Sequence, residues 1–397
     1  MDTGSERQHE RRVLTGNAAA AYAVRLCKPD VICAYPITPQ TELIETLYRF
    51  QADGSVGAEM VEVEGEHSAM SVLIGATSVG GRAFSATSAQ GLFFMFEPYI
   101  FAALQRLPIV MVNVNREAMS PTTVASSEQD IMLVKDTGWI QLHAESCQEI
   151  LDTIIMAYRL AEDPQVMVPV TVSYDGYYLS YFSEAVDIPP QEAVDEFLPR
   201  REMSPKLDPQ TRMTLAPFGD PLVPEYRYKH LAALQRSKGK LEEIDGEFQQ
   251  ALGRGYGGQI EEYRCGDADI VLVTMGSCTG TARVVVDRKR DEGLKVGLVK
   301  IRMFRPFPRE RLLGALQAKK AIGIIDRDVC FGWNCGHLMV ELKAALNGME
   351  PQPLLLNFIG GLAGADITLQ HIGGIIDTVH SATQGRHCEE VAFLDAE

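Results

Sequence analysis

Two runs in this chain carry no charged residue and are dense in valine: Ile109-Val-Met-Val-Asn-Val114 and Val166-Met-Val-Pro-Val-Thr-Val-Ser173. A strand that is apolar on both faces must be covered on both faces, which happens in parallel sheets flanked by helices. Around these runs the apolar period becomes helical. Asn17 to Leu26 reads as a strong helix with Asn17 as its N-cap, and Glu149 to Ala161 as an amphipathic one. Further strands are expected at Val31–Ala34 and Ala83–Ala86. Pro169 lies inside the last strand and makes its first half irregular. Strand–helix alternation over this length predicts an α/β fold with a doubly wound parallel sheet.

The pattern changes near Tyr177. Up to Glu225 the chain is rich in proline and acidic residues and reads as an extended surface connector. A charged helix follows from Lys229 to Leu252, closed by a glycine cluster. Strands then recur at Asp269–Gly276, Val296–Ile301, Ala321–Asp326 and Leu354–Ile359. The expected organisation is an α/β domain over residues 1–176, a connector plus helix over 177–258, and a smaller α/β domain over 259–397. Gly276-Ser277-Cys278-Thr279-Gly280 lacks the full dinucleotide-binding spacing and reads as a tight turn capping a helix.

Net charge is 37 − 53 = −16, the wrong sign for a nucleic-acid binder. The eight cysteines form no CxxC pair, so neither a zinc site nor an iron–sulfur cluster is expected on this chain. They read instead as thiols of a reducing compartment, and no run is apolar enough to span a bilayer. The expectation is a cytoplasmic protein without membrane or nucleic-acid partners.

Two segments carry the chemistry. Tyr35-Pro-Ile-Thr-Pro39 follows a strand and must turn, which displays Thr38 at the strand's carboxyl end, where open α/β sheets bind ligands. In Glu62-Val-Glu-Gly-Glu66 the glutamates alternate with apolar or small residues, as in a short strand with one polar face. Glu66 then stands where a helix opens at His67-Ser68. Taken alone, such a glutamate would be a solvated surface group.

Its company changes that reading. Thr87-Ser88-Ala89-Gln90-Gly91-Leu92, Arg106-Leu107-Pro108 running on to Asn115-Arg116, Asp136-Thr137-Gly138-Trp139, Phe197-Leu198-Pro199, Gly253-Arg254-x-Tyr256-Gly257 and Gly361 to Thr368 occur in order over nearly the whole chain. Together they resemble the alpha chain of 2-oxoacid:acceptor oxidoreductases, the thiamine-diphosphate and iron–sulfur enzymes typified by pyruvate:ferredoxin oxidoreductase. The resemblance implies a pyrimidine-binding-type domain followed by a transketolase-C-terminal-like domain. It makes Glu66 the catalytic carboxylate that hydrogen-bonds the cofactor's pyrimidine N1′. Pro36, Ile37, Ser88 and Gln90 would lie with Glu66 around the cofactor. Arg116 would bind the 2-oxoacid carboxylate, for which a planar guanidinium is suited, and Thr38 would reach its keto oxygen.

The chain has no Gly-Asp-Gly followed by Asn-Asn, the motif that holds Mg²⁺ and the diphosphate, and no ferredoxin-type cysteine run. By the resemblance, thiamine diphosphate is shared with a beta subunit that supplies that motif. The [4Fe–4S] clusters sit on partner subunits, among a gamma chain and a ferredoxin-like delta chain, and coenzyme A is co-substrate. An FAD/NAD subunit joins them where NAD is the final acceptor. The expected reaction is oxidative decarboxylation of a 2-oxoacid to an acyl-CoA and CO₂.

The segment after Arg116 departs from the pyruvate-oxidising pattern: Val124 and Ala125 replace isoleucine and tryptophan. Small side chains there widen a pocket. The expected acid is therefore a bulky one such as phenylglyoxylate, giving benzoyl-CoA, with pyruvate as the alternative. A reading of another class, a non-catalytic assembly subunit, has no need of Thr38, Glu66 and Arg116.

Overall fold

The computed structural model describes residues 10–118, 123–210 and 220–394. Residues 120–122 of the segment after Arg116 lie outside them. The N-terminal half runs β1 (Glu10–Thr15), α1 (Gly16–Cys27), β2 (Val31–Cys33), α2 (Thr41–Ala52), β3 (Glu59–Val61), α3 (Glu66–Ser78), β4 (Ala83–Thr87), α4 (Ala89–Phe94), α5 (Phe96–Leu104), β5 (Val110–Asn115), α6 (Gln129–Leu133), β6 (Ile140–His143), α7 (Cys147–Ala161) and β7 (Val170–Asp175). The charge-free runs became central strands: β7 and β4 flank β5, parallel to it, and every residue of all three is buried. β7 begins after Pro169, as the missing N–H requires.

Two local expectations are corrected. Thr15, not Asn17, caps α1, accepting the Ala18 N–H on its hydroxyl. Asn17 is buried instead, donating to the Pro39 carbonyl at 2.8 Å and accepting from the Tyr174 hydroxyl at 2.8 Å. It thus ties the Thr38–Pro39 turn to the core. The glutamate alternation before α3 is not a strand: β3 ends at Val61.

The expected connector contains β8 (Ser183–Ile188), which pairs antiparallel with β1, and α8 (Gln191–Phe197). The charged helix, α9 (Val223–Leu252), starts six residues earlier than expected and ends at Gly253, whose φ of +76° suits a helix C-terminus that glycine adopts without strain. Its buried face, including Leu241, Ile244 and Phe248, joins the core of the N-terminal half.

The C-terminal half runs β9 (Ile260–Tyr263), β10 (Ile270–Thr274), α10 (Cys278–Asp291), β11 (Val296–Ile301), β12 (Met303–Arg305), α11 (Arg309–Leu316), β13 (Ala321–Asp326), α12 (His337–Ala345), β14 (Leu354–Ile359), α13 (Leu369–Thr383) and β15 (Val391–Phe393). Its sheet has the order β15-β14-β13-β10-β11-β9, parallel except for β9. The N-terminal sheet has the order β12-β6-β7-β5-β4-β2-β3. Its edge strand β12 comes from the C-terminal half and pairs antiparallel with β6.

The two halves share one apolar core, in which Leu73, Tyr99 and Trp139 pack with Val271, Val299 and Phe304. A buried ionic seam runs beside it. Glu149 of α7 takes Lys300 Nζ at 2.6 Å and Arg302 Nε at 2.8 Å. Arg327, after β13, pairs with Asp175 at the end of β7, and Ser277 N donates to the other Asp175 oxygen at 2.7 Å. The Gly276–Ser277 turn is therefore a junction between the halves.

Candidate active site

Glu66 is the first residue of α3, where the helix dipole favours a negative charge. The side chain is nonetheless only 6% exposed, and burial holds its carboxyl above the ordinary glutamate range, against the stabilising pull of its own backbone N–H. Gly91 packs directly against Glu66. A methyl group on Gly91 would collide with Glu66 Oε1 and stand 2.5 Å from Thr87 Oγ1. The Thr87 hydroxyl is buried with no hydrogen-bond partner among the described residues. Gly65, just before Glu66, lies under the ring of Phe94, which is 60% exposed. Tyr35, Phe96 and Phe101 are exposed as well. A buried acid whose carboxyl is raised and an unsatisfied hydroxyl thus meet at Gly91, and those groups suit the polar edge of a flat heterocycle.

Thr38 and Arg116 come together. Thr38 lies exposed in the turn after β2, and Arg116 follows β5 directly. Arg116 Nη1 donates to the Thr38 carbonyl at 3.1 Å and Nε to the Thr123 carbonyl at 2.9 Å. These two bonds fix the plane of a guanidinium that has further N–H donors to offer.

The other expected residues sort by their bonds. Pro36 is exposed and Ile37 half-buried beside the Thr38 turn. Gln90 is exposed, with Nε2 3.5 Å from the Ala118 carbonyl. Ser88 is buried, and its hydroxyl donates to the Val114 carbonyl at 2.7 Å, so it fastens α4 to β5 and is not a free donor at the site. Val124 is 42% exposed. Ala125 packs against the C-terminal half: a methyl group on Gly364 would stand 2.7 Å from its Cβ, and Gly364 N donates to the Ser126 carbonyl. The small side chain at 125 therefore admits the Gly364 turn, and the room expected for a larger substrate is filled there by protein. Tyr174, within β7, is core, while beyond the strand the Tyr178 hydroxyl holds the same turn through the Gly364 carbonyl and Asp366 Oδ1.

Asp130, the last residue of the segment after Arg116 and the second of α6, touches both parts of the site. Its Oδ2 accepts the Ala89 N–H at 3.0 Å and the Arg116 N–H at 3.1 Å. Burial pushes its carboxyl up to about 6, with four N–H donors opposing that rise.

Comparison with known proteins identifies the family. Residues 22–248 match the family model for the thiamine-diphosphate-binding region of pyruvate flavodoxin/ferredoxin oxidoreductases, and residues 268–372 match that for pyruvate:ferredoxin oxidoreductase core domain II. The chain is 42% identical over 379 residues to the alpha subunit of an NADH-dependent phenylglyoxylate dehydrogenase from Aromatoleum evansii, covering 93% of this chain and 91% of that one. It is 44% identical over 366 residues to pyruvate synthase subunit PorA of Methanothermobacter thermautotrophicus, covering 92% and 94%. The fold matches a 2-oxoglutarate:ferredoxin oxidoreductase from Magnetococcus marinus with TM-score 0.72 at 19% identity, over 94% of this chain and 66% of that one.

Proposed function

The chain belongs to the pyruvate flavodoxin/ferredoxin oxidoreductase family, and from that membership we propose that it is the alpha subunit of a multi-subunit, CoA-dependent 2-oxoacid oxidoreductase, acting in the cytoplasm. The observation that carries the proposal is the meeting of the Glu66 carboxyl and the unpartnered Thr87 hydroxyl at Gly91. Glu66 and Thr87 would hold the pyrimidine edge of thiamine diphosphate. When bound, that group supplies a nucleophilic carbon and an electron sink for decarboxylation. Burial, which raises the Glu66 carboxyl, would favour a hydrogen bond shared with a ring nitrogen. Arg116 orients the substrate carboxylate, and its bond to the Thr38 carbonyl places the Thr38 hydroxyl beside the same substrate.

The diphosphate, Mg²⁺ and [4Fe–4S] clusters belong to partner chains, a beta subunit with the diphosphate motif and gamma and delta subunits. Phe94, which lies over Gly65 next to Glu66, and the exposed Phe96, Phe101 and Tyr35 are the residues we assign to contact with the beta subunit. The complex passes electrons to ferredoxin or, through a further flavoprotein subunit, to NAD.

For the acid itself we take pyruvate first. The argument for a wide pocket rested on Ala125, and the Gly364 turn occupies that side. Phenylglyoxylate is the second reading, favoured by the exposed Val124 and by the Aromatoleum relative. The test is the assembled complex, purified without oxygen and assayed with CoA and a viologen dye. Dye reduction that Glu66→Gln abolishes without loss of assembly supports the site. An indifferent Glu66→Gln complex defeats it and leaves the assembly-subunit reading. Preference for phenylglyoxylate over pyruvate reverses the order of the two acids.

A further inference from the structure

Asp130 closes the segment that follows Arg116, and it is completely buried. Its Oδ1 accepts the N–H of Ile131 at 2.8 Å, an ordinary bond for an acid in a helix's first turn. Its Oδ2 takes three donors: Ala89 N, Arg116 N and Asn113 Nδ2 at 3.0 Å. Ala89 and Arg116 follow the carboxyl ends of β4 and β5, two neighbouring parallel strands. One carboxylate oxygen therefore holds the backbones of both segments.

Each segment carries one side of the site. Ala89 opens α4 with φ +42°, a conformation that L-residues other than glycine adopt under strain and that persists only where the surroundings enforce it. The Asp130 bond to its N–H, with the Ser88 bond to Val114, supplies that enforcement. The turn so held sets Gly91 against Glu66 and Thr87. On the other side, the Arg116 backbone is pinned where its guanidinium reaches the Thr38 and Thr123 carbonyls.

We propose that Asp130, in its ionised form, is a positioning residue that fixes the cofactor side of the site, Gly91 and Glu66, relative to the substrate-binding Arg116. The inference rests on the function proposed above. An ionised carboxylate oxygen can accept three N–H bonds together, whereas a protonated one offers less acceptor capacity and a hydroxyl with no acceptor to meet. The groups facing the carboxyl are the Ala89, Arg116 and Ile131 amides and the Asn113 side chain. Neighbouring Glu128 turns away towards Asp175 and Arg327, and Glu66 lies beyond Gly91. Positioning is therefore lost as pH falls through the range in which Asp130 protonates, near 6.

The test is Asp130→Asn in the assembled complex, read by calorimetric affinity for thiamine diphosphate, by the KM of the 2-oxoacid, and by the pH profile of kcat/KM. The expected result is a fall of about tenfold or more in cofactor affinity and a rise of about tenfold or more in KM, with the acid limb near pH 6 gone. A variant that merely melts earlier but keeps both constants and the acid limb overturns the proposal. If Asp130→Asn fails to assemble, Asn113→Ala decides. It removes one donor that holds the Asp130 carboxylate ionised, so an acid limb moved to higher pH with an intact fold supports the proposal, and an unmoved limb overturns it. Glu66→Gln run alongside separates the two levels. Normal turnover by Glu66→Gln sinks the site reading itself; an inactive Glu66→Gln with an unaffected Asp130→Asn sinks only this inference.

Discussion

Gly91 stands so close to the carboxyl of Glu66 that it admits no β-carbon. The contact joins α4 to the start of α3 and sets Oε1 of Glu66 and the unpartnered hydroxyl of Thr87 against the same glycine. Any side chain at 91 must push one of these groups away. Gly91→Ala should therefore assemble with its partners yet bind thiamine diphosphate weakly. Turnover should drop by about a hundredfold, the scale of an ångström's misplacement in an active site. Cofactor titration of the assembled complex checks this, and normal affinity would remove Gly91 from the site.

Arg116→Lys tests the substrate side. Lysine keeps the charge but not the planar fork that two backbone carbonyls hold in orientation. The KM for the 2-oxoacid should rise by about tenfold or more, the value of one charge-assisted hydrogen bond, with little change in thiamine diphosphate affinity. An unchanged KM would mean that another cation reads the carboxylate.

The pair between Arg327 and Asp175 closes the seam between the halves, and both side chains are buried. Arg327→Met leaves Asp175 uncompensated and should cost about 3–5 kcal/mol in denaturant unfolding. Adding Asp175→Asn should restore part of that loss, because the stranded charge disappears. Full additivity of the two changes would show that the pair is not coupled.

Glu128 gives the seam a pH dependence. It is buried, and burial with the nearby Asp175 charge drives its carboxyl well above the glutamate range, in spite of Arg327; its Oε1 has no hydrogen-bond partner among the described residues. A carboxyl raised in the folded state binds more protons folded than unfolded. Its contribution is therefore complete below the unfolded value and is lost as pH climbs towards the folded one. Asp326, raised by burial and by Asp328, adds the same sign. The melting temperature should fall from mildly acid to alkaline pH, and Glu128→Gln, neutral throughout, should flatten that slope. An identical slope in the variant would place the titration elsewhere.

Much of this protein is legible residue by residue. The two valine runs without charge became the inner strands β5 and β7, the second starting only after Pro169, and β11, β13 and β14 lie where further strands were expected. The turn that displays Thr38 follows from two prolines after a strand. Glu66 at the mouth of α3 follows from a helix-compatible stretch opening behind it. The N-cap of α1 went to Thr15 because Asn17 has a better use: its amide reaches the Pro39 carbonyl and the Tyr174 hydroxyl, partners remote in sequence.

The alternation of strands and helices and the absence of the diphosphate and cluster motifs depend on local period and residue type and are legible in the sequence; Glu66, Thr38 and Arg116 came forward as candidate groups only through the resemblance of the motifs around them. The tertiary structure alone decided what surrounds those groups. It placed β12 on the sheet of the other half, set the Gly364 turn against Ala125, and brought Asp130 to the backbones of Ala89 and Arg116. Such relations are hydrogen bonds and close contacts between residues far apart in the chain. Each is chosen by the packing of whole sheets and helices, and no window of sequence contains both partners.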